Sequence, residues 1–122
     1  MSLFNSGQFR LHSGSVSSFK IDCDALTEDD WKAIAAIVGQ HTKFGQVIGV
    51  PSGGLRLAEA LAPYCTSGPT LIVDDVLTTG ASMREVAEGL GAMHPYTGFV
   101  LFARGPCPSW VWPLFVMSEP KP

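Results

Sequence analysis

Apolar positions change their period several times along the chain, and each change marks an element. Phe9 and Leu11, then Val16, Phe19 and Ile21, recur at even or near-even spacing around Ser13-Gly14, which predicts two short extended segments joined by a turn. Thr27 with Asp30 three positions later forms a capping-box pattern in which Asp replaces the usual Glu, and Glu28 and Asp29 add negative charge where a helix dipole favours it. Trp31, Ile34, Ala35 and Val38 follow at helical spacing, so a helix over 28–39 is predicted, its apolar face covering a sheet.

Residues 46–50 form a short β-prone run ending at Pro51-Ser52-Gly53-Gly54, after which Leu55, Leu57, Ala58, Leu61 and Ala62 predict a second helix reaching about Tyr64. The same order of strand, small-residue turn and helix returns at 70–76, 77–82 and the segment carrying Met83, Val86, Ala87 and Leu90, with Gly91 closing the helix. Residues 97–103 read as a further apolar strand ended by Arg104-Gly105-Pro106, and residues 110–117 as a last edge strand interrupted by Pro113. Strands alternating with helices predict an α/β fold with a parallel sheet covered on both faces, whose ligands sit at the carboxyl ends of the strands.

The chemistry concentrates in residues 71–82, Leu-Ile-Val-Asp-Asp-Val-Leu-Thr-Thr-Gly-Ala-Ser. Side chains alternate across a strand, so Asp74 and Asp75 cannot both face the core, and an unpaired buried carboxylate is costly. At least one must meet a ligand, a metal or a partner; the plainer alternative is a strand-end Asp that caps the following turn. The attached run favours a ligand, because Gly80 permits a conformation other residues resist, and successive amides with the Thr78, Thr79 and Ser82 hydroxyls can surround a phosphate at a helix start. Pro51 to Gly54 repeats the device more weakly, as a Gly pair leaving amides free for an anion, although an ordinary tight turn has the same composition.

At 122 residues with 46% apolar content the chain fits one domain with one core. A net charge of −3 with 16% charged residues leaves no basic tract for nucleic acid or an anionic membrane, which directs attention to small ligands. No apolar stretch approaches a bilayer span and the first residues lack a signal-peptide pattern, so a soluble cytoplasmic protein is expected. Cys23, Cys65 and Cys107 are odd in number and irregularly spaced, which suits reduced thiols better than disulfides or a metal site. No G-x-x-x-x-G-K-[ST] run occurs, which argues against a P-loop NTPase.

Residues 71–82 resemble, across all twelve positions, the loop with which type I phosphoribosyltransferases grip 5-phosphoribosyl 1-pyrophosphate (PRPP). Phe9-x-Leu11-x-Ser13-Gly14-x-x-Ser17-x-Phe19-x-Ile21-Asp22 is similar to the opening of the orotate phosphoribosyltransferases, where it forms a hood over the base. The resemblance implies a small, parallel-sheet, Rossmann-like core over 26–122 with a hood segment over 1–25, together a single domain. It implies that Asp74 and Asp75 hold the ribose hydroxyls in the catalytic site, and that Leu77, Thr78, Thr79, Gly80, Ala81 and Ser82 hold the 5-phosphate. Pro51, Ser52, Gly53 and Gly54 would hold the pyrophosphate, and Arg104 with the Phe19-Lys20 backbone would meet the base. Mg²⁺ would arrive on PRPP near Asp74 and Asp75 rather than on direct protein ligands, and a homodimer would be the assembly.

Two departures stand out. His12 occupies a position where that family commonly has a ligand-contacting Lys, and a solvated turn residue is its plain reading. Only fifteen residues separate Gly54 from Thr70, and the helix uses ten of them, so Cys65 to Pro69 cannot contain the extra strand and mobile basic loop that orotate phosphoribosyltransferases place there. Lys20, Lys43, Arg56 and Arg84 are the candidate substitutes for its cations. The expected activity is therefore transfer of ribose 5-phosphate from PRPP to a pyrimidine-like base, orotate first among them. The rivals are a weak or inactive regulatory module binding PRPP or a nucleoside monophosphate, and an interaction domain with a vestigial pocket.

Overall fold

The structure is a computed structural model describing residues 2–11, 14 and 16–117. Strands β1 (Phe4–Arg10) and β2 (Val16–Ile21) pair antiparallel with a bulge between Ser6 and Phe9. The Gly14 amide donates to the Leu11 carbonyl at their tip, while His12 and Ser13 lie outside the described residues. A short 3-10 turn, Cys23–Ala25, leads to α1 (Glu28–His41). Thr27 and Asp30 make the reciprocal capping box that their spacing predicts.

Helix α1 runs two residues beyond the predicted end because Gly39 is a contact rather than a stop: a Cβ there would overlap the Tyr64 ring. Strand β3 (Gln46–Gly49) leads to α2 (Leu55–Leu61), which tightens into a 3-10 turn over Ala62–Tyr64 instead of continuing as α-helix. Pro63 accounts for the change, since it has no N–H for an α-helical bond. Strand β4 (Thr70–Leu77), helix α3 (Ala81–Gly89), strand β5 (Tyr96–Ala103) and strand β6 (Val111–Val116) complete the chain. Gly91, at φ +91°, follows the last turn of α3 as a left-handed terminator.

The four strands β3-β4-β5-β6 form one parallel sheet in that order. Strand β6 passes through Pro113 without the expected interruption; Pro113 stands in register with Val100, and an edge strand has one side on which a missing N–H leaves no ladder bond unmade. The alternation of β4 divides the core. Leu71 and Val73 join Trp31, Ala35 and Val38 of α1 and Leu57 and Leu61 of α2, whereas Ile72 joins Met83 and Ala87 of α3. Burial of these side chains, each worth about 1.5–3 kcal/mol for the larger ones, is what clamps helices to both faces.

Because all four strands are parallel, the ends of β3, β4 and β5 open on the same side, and the turns that follow them meet there. The Arg104 amide donates to the Leu77 carbonyl at 2.8 Å, and a Cβ on Gly105 would approach the Thr78 carbonyl at 3.2 Å. The β1-β2 hairpin docks at this end through the Phe4 ring, edge-on to Phe102 at 5.6 Å.

Candidate functional site

Three chain segments build the site. The first is the turn after β3, where the Pro51–Ser52 peptide is cis and the Gly54 amide donates to the Val50 carbonyl at 2.8 Å. The glycine pair is required by crowding: a Cβ on Gly53 would overlap the Asp75 carboxylate, and one on Gly54 would overlap the Val73 carbonyl. The turn is therefore pressed against the end of β4, and sequence-distant Gly53 and Asp75 become neighbours.

The second segment is the end of β4. Strand alternation aims Asp75 toward Gly53 and Asp74 toward the α3 side, where Asp74, Val76, Leu77, Thr78, Thr79, Gly80, Ala81, Ser82 and Met83 line a small cavity of about 40 Å³. Gly80, at φ +82°, is the N-cap of α3, and a left-handed N-cap offers no side chain to the first-turn amides. Helix α3 starts at Ala81, two residues before the apolar pattern alone would begin it, so the amides of Ala81 and Ser82 belong to the helix start. The Thr79 hydroxyl accepts from the Ala81 amide at 3.3 Å.

The carboxylates are in an unusual electrostatic setting. Burial, followed by a side-chain hydrogen bond that protonated Asp74 donates to Asp75 and by the charge of Asp75, pushes Asp74 up to about 8, against a partial lowering by the Asp75 amide that donates to it at 2.8 Å. Cys23, whose thiol is pushed up to about 12 by burial and then by the charges of Asp75, Asp22, Asp24 and Asp74, lies within reach of the same field. This corner is strongly acidic.

The third segment is the hood. Arg104 Nη2 donates to the Phe19 carbonyl at 2.9 Å and to the Ser17 hydroxyl, and its guanidinium lies 3.9 Å from the centre of the Phe19 ring. Arg104 and Phe19 are thus brought together. Lys20 is exposed opposite Asn5. Ser17 is one of the buried polar residues, 2% exposed. Its only sequence signal is its place two residues before Phe19 in the hood motif.

The candidate cations are scattered. Lys43 precedes β3 and so lies at the amino end of the sheet, opposite the site, where its carbonyl adjoins Gly68. Arg56 pairs with Asp24 at 3.8 Å across exposed surface. Arg84 is exposed in the first turn of α3. A larger cavity of about 720 Å³ between α1 and α2, lined by Trp31, Arg56 and Tyr64 among others, shares no residue with the strand-end site.

No family model matches the sequence. A curated relative, orotate phosphoribosyltransferase from Caenorhabditis elegans, is 28% identical over 74% of this chain and 54% of its own. Among solved structures, orotate phosphoribosyltransferase from Aeropyrum pernix superposes with a TM-score of 0.73 at 25% identity, covering 93% of this chain and 88% of that one. The chain has the type I phosphoribosyltransferase fold. UMP synthase from Leishmania donovani shares it, with a TM-score of 0.71 at 21% identity over 93% of this chain and 33% of that one.

This phosphoribosyltransferase fold is a short one. The chain spans about half the length of the curated relative it matches. Residues 65–69 alone join the 3-10 turn after α2 to β4, so β3 remains an edge strand. No helix among the described residues is long and apolar enough to cross a membrane. No group of three or more His, Cys, Asp or Glu among the described residues is placed to hold a metal ion. The Asp74-Asp75 pair would suit a hard divalent cation that arrives on phosphate oxygens and meets the carboxyl groups through its own waters, as Mg²⁺ does.

Proposed function

We propose that this chain binds PRPP and transfers its ribose 5-phosphate to a pyrimidine-like base, orotate first among the candidates, releasing pyrophosphate. The observation that carries the reading is the packing of Gly53 against Asp75 at one strand end, with the left-handed Gly80 opening α3 beside Asp74. Asp74 and Asp75 accept from the two ribose hydroxyls. The first-turn amides of α3 with Thr78, Thr79 and Ser82 receive the 5-phosphate, and the Pro51 to Gly54 turn receives the pyrophosphate. Leu77, Gly80 and Ala81 shape the phosphate loop.

In the reaction the bond from the anomeric carbon to pyrophosphate oxygen breaks with its electron pair leaving on oxygen, a bond to a ring nitrogen of the base forms, and the proton that nitrogen gives up leaves on the released pyrophosphate or to water. Charge develops positively on the sugar and negatively on the leaving group. The adjacent acidic residues favour the first and oppose the second. Mg²⁺ bound with PRPP supplies the compensating positive charge when present. Arg104, beside the Phe19-Lys20 backbone, faces the base, where a planar guanidinium pairs with carbonyl or carboxylate groups.

The test is loss of orotate absorbance in the presence of PRPP and Mg²⁺. Wild-type chain should consume orotate, and the double variant Asp74→Asn, Asp75→Asn should not; equal turnover by both sinks the reading. The short 65–69 link favours a second reading, a PRPP- or nucleotide-binding regulatory module with little turnover, since a closing basic loop has no room there. Calorimetry detecting PRPP or orotidine monophosphate without base consumption would select it. A homodimer belongs to the first reading: β6 leaves Phe115 and Val116 exposed at a sheet edge, and light scattering at micromolar concentration decides it.

A further inference from the structure

Arg104 meets the hood at the Phe19 ring, the Phe19 carbonyl and the Ser17 hydroxyl, and the hydroxyl ties the other two together. A serine oxygen has one proton to give and two lone pairs to fill. In Ser17 all three are used: it donates to the Phe19 carbonyl at 2.7 Å, accepts from the Phe19 amide at 3.1 Å, and accepts from Arg104 Nη2. The Phe19 carbonyl accepts from Arg104 Nη2 as well, at 2.9 Å. Both protons of that nitrogen therefore have acceptors in the hood, 87 and 85 residues away in sequence.

The consequence is directional. A guanidinium is planar, so fixing one nitrogen at two acceptors and laying the plane against the Phe19 ring, 3.9 Å from its centre, sets where the remaining donors point. A long side chain at a strand end otherwise samples many rotamers, each costing selectivity when a planar ligand must be met edge to edge. Ser17 is 2% exposed, so water cannot replace it as the acceptor. Its register is set by pairing with Phe9 across the hairpin.

We propose that Ser17 is a positioning residue for base selection: its hydroxyl locks the hood to Arg104 and orients the guanidinium toward the nucleobase. This rests on the reading of Arg104 as the base contact. Ser17 touches neither PRPP nor the base, and acts through Arg104.

The experiment measures affinity for orotate and for PRPP separately, by calorimetry with Mg²⁺ present, on wild type, Ser17→Ala and Ser17→Thr. Ser17→Ala should weaken orotate about tenfold or more while PRPP stays within about twofold, and Ser17→Thr, which keeps the hydroxyl, should recover most of the loss. A parallel cycle on urea midpoints pairs Ser17→Ala with Arg104→Gln, and the double variant should be little worse than the poorer single one. Equal weakening of orotate and PRPP, unchanged orotate affinity in Ser17→Ala, or additive stability losses would each overturn the proposal. Wild type that binds PRPP but no pyrimidine overturns it too, and wild type that binds neither ligand identifies the failure as that of the proposed function itself.

Discussion

The Asp75 carboxylate fills the space that a side chain on Gly53 would need. Together with Gly54 against the Val73 carbonyl, this glycine sets how closely the turn after β3 approaches the end of β4.

Gly53→Ala should drive the Asp75 carboxylate from its place, where it accepts from the Val76 amide at 2.7 Å. Overpacking at such a contact costs about 1–3 kcal/mol, visible as a lowered urea midpoint. PRPP affinity should fall further than that of a distant variant of equal stability loss, with Thr27→Ala as the comparison, since removing its cap costs about 0.5–2 kcal/mol without touching the site. Equal PRPP affinity in the two variants would remove Gly53 from the site.

Asp74 gives stability a pH dependence of known sign. Folded, it keeps its proton up to about 8, whereas the ordinary carboxyl value is 3.8. Between those values the folded chain holds more protons than the unfolded one, so this contribution is full below the lower value, shrinks as pH rises and is lost past the higher. Asp74→Asn, which resembles the neutral carboxyl, should be relatively more stable than wild type at about pH 9 than at about pH 5. Urea midpoints that keep the same difference at both pH values would contradict the assignment.

The same substitution should separate stability from binding. Asp74→Asn keeps the shape of the neutral carboxyl, so the fold should tolerate it at about pH 7, while loss of the carboxylate that prevails above about 8 should weaken PRPP by about tenfold or more at about pH 9. Calorimetry of a folded Asp74→Asn that still bound PRPP at wild-type strength at that higher pH would place the diol elsewhere.

Thiol labelling should distinguish the cysteines. Cys23 is 7% exposed and its thiol is pushed up to about 12, so at about pH 8 it should stay unmodified in folded protein and react only on unfolding. Cys65 and Cys107 are partly exposed and should label first. Early modification of Cys23, read by mass spectrometry of peptides, would mean that the hood-to-core junction opens readily.

Local chemistry was legible in the chain itself. The Thr27-Asp30 box, the change from even to helical spacing, the glycines after β3 and β4 and the alternation of strands with helices all act between near neighbours, so residue order determined the elements, the parallel sheet and the strand ends where a ligand would sit. Long-range packing decided the rest. The helical pattern ends at Gly39 in the sequence, yet α1 runs past it with Tyr64 on that glycine, and Pro113 reads as an interruption of the edge strand until β6 proves to run straight through it, in register with Val100. Lys43 and Arg56 read alike as spare cations, yet one lies at the amino end of the sheet and the other pairs with Asp24. Ser17 gains its place only when the hairpin folds over β5 and meets Arg104. Periodicity reports which face of an element is apolar, but which elements meet across that face depends on sheet order, register and crossover, and those are settled only when the whole core closes.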